Sequence, residues 1–459
     1  MKKTFLIALL AFFTFSATEA QILQPFQKGE RVTFAGNSIT DGGHYHSYIW
    51  LYYMTHFPER KLWMANCGVG GDTGKQILER LDDDVLSKNP TVLTFSFGMN
   101  DTGYFEYNGD NAQAFADSRV EECHKTLQEA EARFRKLQGV RVVMIGTSPY
   151  DQTSTFNDNI YRNKNNAMQR VVKMQEEVAK RNGWPFVDFN SPMAAINARE
   201  QQKDPAFTII GNDRVHPDND GHMVMAYLFL KAQGLVGEKV SDVEIDATLK
   251  KVQKQNNCRV SGLKVNAEGL QYTYLAKSLP LPLDTLAHGW GFSRGAAKVL
   301  KVIPSFMEDL SDEHLCVKGL QGKYELSIDA LVLDTLAAEQ LAQGLNLAVY
   351  RHSPQYQQAL TIMALNENRW EIERRFRDYA WLQYDFFMPK GMLNRTDEAA
   401  ARLFRQEKDN IFVTSKADTY DKMCHREVRE AYIAQMDDLV NRIYKLNKPQ
   451  KRVVRLRLL

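Results

Sequence analysis

From Arg31 to about Leu235, short apolar runs alternate with longer stretches of mixed polarity. Val32-Thr33-Phe34-Ala35, Thr91-Val92-Leu93-Thr94-Phe95 and Val142-Val143-Met144-Ile145 are β-branched or aromatic, and each is ended by a glycine-containing turn. Unbroken apolar runs of this length suit strands buried on both faces. Leu62-Trp63-Met64-Ala65 and Trp184-Pro185-Phe186-Val187-Asp188 read as weaker strands. Residues 73–87, 113–138 and 164–182 carry helical spacing. Strands alternating with helices predict an α/β domain over residues 21–238, a doubly wound, flavodoxin-like parallel sheet. Its active site belongs outside the carboxyl ends of the strands.

Beyond Ala232-Gln233-Gly234 the texture changes. Alternating stretches such as Tyr324-Glu325-Leu326-Ser327-Ile328-Asp329, preceded by Gly319-Leu320-Gln321-Gly322, predict β-structure with tight turns. Helical spacing returns from about 337 to 390 and from 396 to 447. Residues 239–459 are therefore expected to form a mixed β/helical C-terminal region, β-rich to about 335 and helical after it. The aromatics Trp370, Phe376, Tyr379 and Trp381 stand at mixed spacing and read as packing. The last fifteen residues carry Lys445, Lys448, Lys451, Arg452, Arg455 and Arg457 with no acid among them. The simplest reading is a solvated tail, with a partner-binding arm as the alternative.

Composition adds exclusions. The chain has 58 Lys+Arg against 56 Asp+Glu, so no global field favours nucleic acid. Met1-Lys2-Lys3-Thr4, the apolar run Phe5–Phe13 and the small-residue stretch ending at Ala20 match a cleaved secretory signal over residues 1–20. The run is shorter than the ~20 apolar residues of a membrane span, and no later segment is long enough. A periplasmic or secreted protein is expected. Cys67, Cys123, Cys258, Cys316 and Cys424 are too scattered for a disulfide scaffold. They read as buried and inert, with one disulfide possible but not assignable. No Cys/His spacing suits zinc, so neither metal nor cofactor is expected.

Candidate chemistry sits on the loops that follow the strands. Gly36-Asn37-Ser38-Ile39-Thr40-Asp41-Gly42-Gly43 follows the first strand and sets a serine where a strand turns into a helix. Taken singly, such a serine reads equally as a helix cap. Asn66-Cys67-Gly68-Val69-Gly70-Gly71-Asp72-Thr73 is a second glycine-rich turn into a helix, without the Lys-Ser/Thr of a phosphate loop. Gly98-Met99-Asn100-Asp101 ends the third strand. Far downstream, Asp213-Arg214-Val215-His216-Pro217 spaces a carboxylate three residues from an imidazole, within reach to fix its tautomer. His44 and His46 are expected to be solvated or to cap, with lining of the pocket as the alternative, and His222 to pack at a helix start.

In this order the four blocks resemble those of the SGNH (GDSL-type) serine hydrolase superfamily. Ser38 matches the first block, Gly71 the second, Asn100 the third, and Asp213 with His216 the last. The resemblance covers about residues 30–235. It departs at Asn37, where the family usually has Asp. It implies Ser38 as nucleophile, His216 as base and Asp213 as its orienting partner. It also implies an oxyanion hole from the backbone N–H groups of Ser38 and Gly71 and the amide of Asn100.

The expected function is an exported serine esterase that removes short acyl groups, O-acetyl foremost, from carbohydrate. A lipase or lysophospholipase is the enzyme rival, although no lid-like apolar run is evident near the strand ends. A glycan-binding protein with little turnover is the non-enzyme rival. The expected partner is an acylated carbohydrate or other small ester. The sequence leaves the oligomeric state open.

Overall fold

The computed structural model describes residues 22–284 and 298–459. The expected signal, residues 1–20, lies outside the described residues. Five parallel strands form the first sheet: β1 (Arg31–Gly36), β2 (Trp63–Gly68), β3 (Val92–Phe97), β4 (Arg141–Gly146) and β5 (Phe186–Asp188). Their order is β2-β1-β3-β4-β5, the flavodoxin-like doubly wound order. β2 is longer than the run Leu62–Ala65 suggests. It continues through Asn66, Cys67 and Gly68, which pair in register with Phe34, Ala35 and Gly36. Asn66 is tolerated there because its side chain donates to the Asp41 carbonyl and its backbone N–H to Glu373.

The connecting helices are α1 (Ser38–Asp41), α2 (Tyr45–His56), α3 (Gly74–Glu79), α4 (Ala112–Phe134), α5 (Lys164–Asn182), α6 (Asn190–Gln201) and α7 (Asn219–Ala232). α2 is buried along its whole length, as expected of a helix without a polar face. α5 spans the residues its periodicity indicates and ends at Gly183, whose φ of 66° fits the left-handed cap that glycine favours.

Two further sheets follow. β6 (Ser241–Asp246), β7 (Lys251–Asn256), β10 (Glu313–Lys318) and β13 (Leu345–Asn346) make one, in the order β13-β10-β6-β7. β8 (Cys258–Asn266), β9 (Gly269–Ala276), β11 (Lys323–Ile328), β12 (Leu331–Ala337) and β14 (Arg452–Leu458) make the other, ordered β12-β11-β14-β9-β8. Short helices α8 (Val299–Val302), α9 (Phe306–Leu310) and α10 (Ala338–Gln343) punctuate this region. β14 corrects the reading of the basic terminus as a solvated tail. Val454 and Leu456 point into the core while Arg455 and Arg457 face out. That period of two makes the segment an interior strand.

The last elements are α11 (Pro354–Trp381), α12 (Glu398–Gln406), α13 (Ile411–Thr414), α14 (Ala417–Met423) and α15 (Arg426–Leu446). α11 starts at Ser353, whose hydroxyl accepts from Tyr356 N, with Pro354 at the first helical position. Ala359, Ile362 and Met363 of α11 and Val440 and Ile443 of α15 enter the same core as the first sheet. Trp370, expected only to pack, stacks on His44 with ring centroids 4.0 Å apart. All five cysteines are free thiols. Among the described residues no helix is long and apolar enough to cross a membrane.

Candidate active site

The reversal of strand order between β1 and β3 opens a crevice at the carboxyl edge of the sheet, where ligands of doubly wound folds bind. Ser38 leaves β1 there, Gly71 follows β2, and Asn100 follows β3. Ser38 is the first residue of α1, and the side chain of Asn37 caps that turn by accepting from Ile39 N at 3.1 Å. Asparagine therefore does the capping where the superfamily usually has Asp. The turn is tightly seated: a Cβ on Gly68 would lie 2.2 Å from Asp41 N, so only glycine lets the β2 loop approach α1.

Ser38 Oγ lies 2.7 Å from His216 Nε2, and His216 Nδ1 lies 2.5 Å from Asp213 Oδ2. The other Asp213 oxygen accepts from the backbone N–H groups of Val215 and His216. Burial alone would raise the Asp213 carboxyl, but the hydrogen bond and charge of His216 outweigh it and hold it below its ordinary pKa. Arg214 anchors this loop from beneath. Its φ is 66°, and its guanidinium donates to the carbonyls of Asp151 and Asn157 while lying 4.3 Å from the Phe156 ring centroid. Sequence reasoning missed Arg214, because its partners are some sixty residues away.

Gly71 has φ 91°, and a Cβ there would meet open space within the crevice. The conformation demands glycine and keeps that wall bare. Asn100 Nδ2 donates to the Asp72 carbonyl at 2.8 Å, which joins the β2 and β3 loops. Asp101 reinforces the join by accepting from Gly74 N and Gly98 N.

A cavity of about 700 Å³ opens above Ser38, Gly70, Gly71, Asn100 and His216. Its far wall comes from the C-terminal helices: Arg374, Asp378, Trp381, Ile411, Phe412 and Lys416. Arg374, Asp378 and Trp381 recur at spacings of four and three and so share a face of α11. Arg374 ties this face to the nucleophile turn by donating to the carbonyl and carboxylate of Asp41. Ile411 and Phe412 are 71% and 65% exposed at the mouth. An apolar rim of this kind was not evident near the strand ends, because it arrives from more than 300 residues away in sequence. Trp381, expected only to pack, lines the cavity and carries Lys416 Nζ 4.5 Å from its ring centroid.

His44 and His46 depart from the solvated or capping roles expected of them. His44 is buried beside Glu367 at 3.1 Å, and His46 lies 3.1 Å from the Thr40 carbonyl. Burial lowers the His46 pKa to about 4, so it is neutral. His222 packs in the first turn of α7, stacked near Tyr45.

Residues 34–224 match the GDSL-like lipase/acylhydrolase family. The chain superposes on a solved gut microbial diltiazem-metabolizing enzyme with a TM-score of 0.93 and 50% identity, covering 96% of this chain and 100% of that one. The chain belongs to the GDSL family. It is a serine ester hydrolase. Residues 360–448 match the diltiazem deacetylase C-terminal helical domain, a range that holds most of α11 and the helical residues of the cavity wall. A curated acetylxylan esterase of Geobacillus stearothermophilus is 26% identical over 227 residues, 45% of this chain and 94% of the relative.

Proposed function

We propose that this GDSL hydrolase is an exported esterase that removes short acyl groups, acetyl foremost, through Ser38, His216 and Asp213. The observation that carries the reading is the unbroken chain of contacts Ser38 Oγ–His216 Nε2–His216 Nδ1–Asp213 Oδ2 at 2.7 and 2.5 Å. A serine hydroxyl is a weak nucleophile until a base takes its proton. His216 accepts that proton as Oγ bonds to the acyl carbon, and Asp213 stabilises the imidazolium. The carbonyl oxygen becomes an oxyanion, met by the backbone N–H groups of Ser38 and Gly71 and the amide of Asn100. Collapse breaks the acyl–oxygen bond, and the leaving alcohol takes the proton from His216. Water, activated in turn by His216, releases the acid and restores Ser38. Export rests on the basic, apolar and small-residue order of Met1–Ala20.

An acetyl group is common to two of the names the chain matches, an acetylxylan esterase and a diltiazem deacetylase helical domain. The leaving alcohol divides them. Carbohydrate O-acetyl is the reading drawn from export and from the acetylxylan esterase. A second reading, an acetylated apolar small molecule, is favoured by the wall of Trp381, Ile411 and Phe412 facing the serine.

Rates of acid release on p-nitrophenyl acetate and octanoate, acetylated xylo-oligosaccharide and diltiazem test both parts. Acetate is expected to exceed octanoate steeply; a preference for octanoate overturns the short-acyl reading. Phe412→Ala is expected to lower kcat/KM about tenfold on whichever alcohol rests on the apolar rim, since covering the exposed part of the ring contributes about 1–2 kcal/mol. A loss confined to diltiazem selects the apolar small molecule. A loss confined to the oligosaccharide, or none on diltiazem, selects carbohydrate.

A further inference from the structure

Asn100 stands in the β3 loop with partners on both edges of its amide. One edge lies 2.8 Å from the backbone carbonyl of Asp72. That oxygen can only accept, so the edge facing it is the NH₂. The opposite edge is therefore Oδ1, and it lies 2.6 Å from the hydroxyl of Tyr104. The phenol must be the donor. Turning the amide round would set carbonyl against carbonyl and forfeit the O–H bond as well. With one Nδ2 hydrogen held by Asp72, the second is left for the cavity that Asn100 lines beside Ser38 and His216.

We infer that Tyr104 is a positioning residue for ester cleavage: by donating to Asn100 Oδ1 it holds the remaining Nδ2–H of that amide toward the oxyanion formed at Ser38. The inference rests on the proposed role of Asn100 in the oxyanion hole. Nothing in the four sequence blocks points to Tyr104, which follows Asn100 by one helical turn's spacing but lies in an irregular loop.

The surroundings fix the phenol in turn. The Lys164 ammonium sits 4.0 Å from the Tyr104 ring centroid, a cation–π arrangement that restrains the ring. The same ammonium donates to the carbonyls of Met99 and Gly103 and to Thr102 Oγ1, at 2.7, 2.6 and 3.0 Å. Burial lowers the Lys164 pKa to about 7, and its three hydrogen bonds clamp the turn that carries Asn100 beside the ring that orients it. Burial, and then the nearby charge of Asp213, raises the Tyr104 phenol above its ordinary pKa. It therefore stays protonated, and a donor, across the working range. The arrangement is preorganised: the donor is aimed before the charge develops, which is what makes such donors effective.

The test is a double-mutant cycle on p-nitrophenyl acetate with Tyr104→Phe, Asn100→Ala and both together. Tyr104→Phe is expected to lower kcat about tenfold with KM within about twofold, the loss of one orienting hydrogen bond. Asn100→Ala is expected to lower kcat by about 10²–10³. In the Asn100→Ala background, Tyr104→Phe is expected to change kcat less than about twofold, because no amide remains to be aimed. Equal factors in the two backgrounds, or no effect of Tyr104→Phe in wild type, overturn the inference. If Asn100→Ala keeps full kcat, the oxyanion role of Asn100 falls and the inference with it. The triad reading is untouched by that outcome, because labelling of Ser38 tests it separately.

Discussion

Ser38→Ala is expected to lower esterase turnover by about 10⁶-fold, the scale of loss when a serine nucleophile is deleted. Its thermal midpoint should stay close to that of wild type. The two halves of this expectation come from different parts of the structure. On the proposed mechanism turnover requires Oγ as the attacking atom, 2.7 Å from His216 Nε2. Stability depends on it only weakly. The turn is capped by Asn37 and seated by the close approach of Gly68, and neither contact uses the hydroxyl. The lost Oγ–His216 hydrogen bond contributes about 1 kcal/mol at most. Residual turnover within tenfold of wild type would mean that another group attacks the ester.

A change far from the serine is expected to have the largest effect on stability. Asp84 is buried and gathers two arginines and a lysine. Arg80 Nη1 lies at 2.6 Å, Arg377 Nη1 and Nη2 at 2.9 and 2.8 Å, and Lys88 Nζ at 2.9 Å. Arg377 belongs to α11, so this carboxylate bolts the C-terminal helices to the catalytic sheet. Asp84→Asn leaves two guanidinium groups buried, Arg80 with Asp72 and Arg377 with only the charge of Asp41 and the Gly68 carbonyl to answer it. Breaking a buried pair in this way costs about 3–5 kcal/mol. Burial would raise the Asp84 pKa, but Arg377, Lys88 and Arg80 hold it well below the ordinary carboxylate range. A depressed folded-state pKa gives stability that is complete above the unfolded value of about 3.9 and is lost as the pH falls through the folded one. The penalty of Asp84→Asn should therefore be full at pH 7 and shrink below about pH 4. Calorimetric unfolding of both proteins across that range checks it. A penalty independent of pH would show that shape, not charge, is what Asp84 supplies.

The catalytic half of the fold was largely legible because its signals are local. The β-branched runs at Val32, Val92 and Val142 need only their neighbours to declare buried parallel strands, and the α5 periodicity marked its own ends. The four loop blocks were legible for the same reason, each being a short chemical pattern after a strand. The cavity wall was not legible. Arg374 reaches Asp41 across 333 residues and Arg377 reaches Asp84 across 293. No local pattern encodes such distances. The face of α11 that lines the cavity mixes Arg, Asp and Trp, so its periodicity carries no apolar signal. β14 was misread because its arginines dominate the composition, while the alternation of Val454 and Leu456 that makes it a strand is only two residues deep.

These helices line the cavity that also holds Ser38, and on the proposed mechanism they would bound the space for the leaving alcohol. The wall's role in alcohol selection requires Ser38 to be the residue that attacks. A fluorophosphonate probe, followed by peptide mapping of the labelled protein, tests this most directly. The expected result is one equivalent of label on the peptide bearing Ser38, with labelling suppressed in His216→Ala. Folded protein that takes no label, or takes it on another serine, would contradict the account.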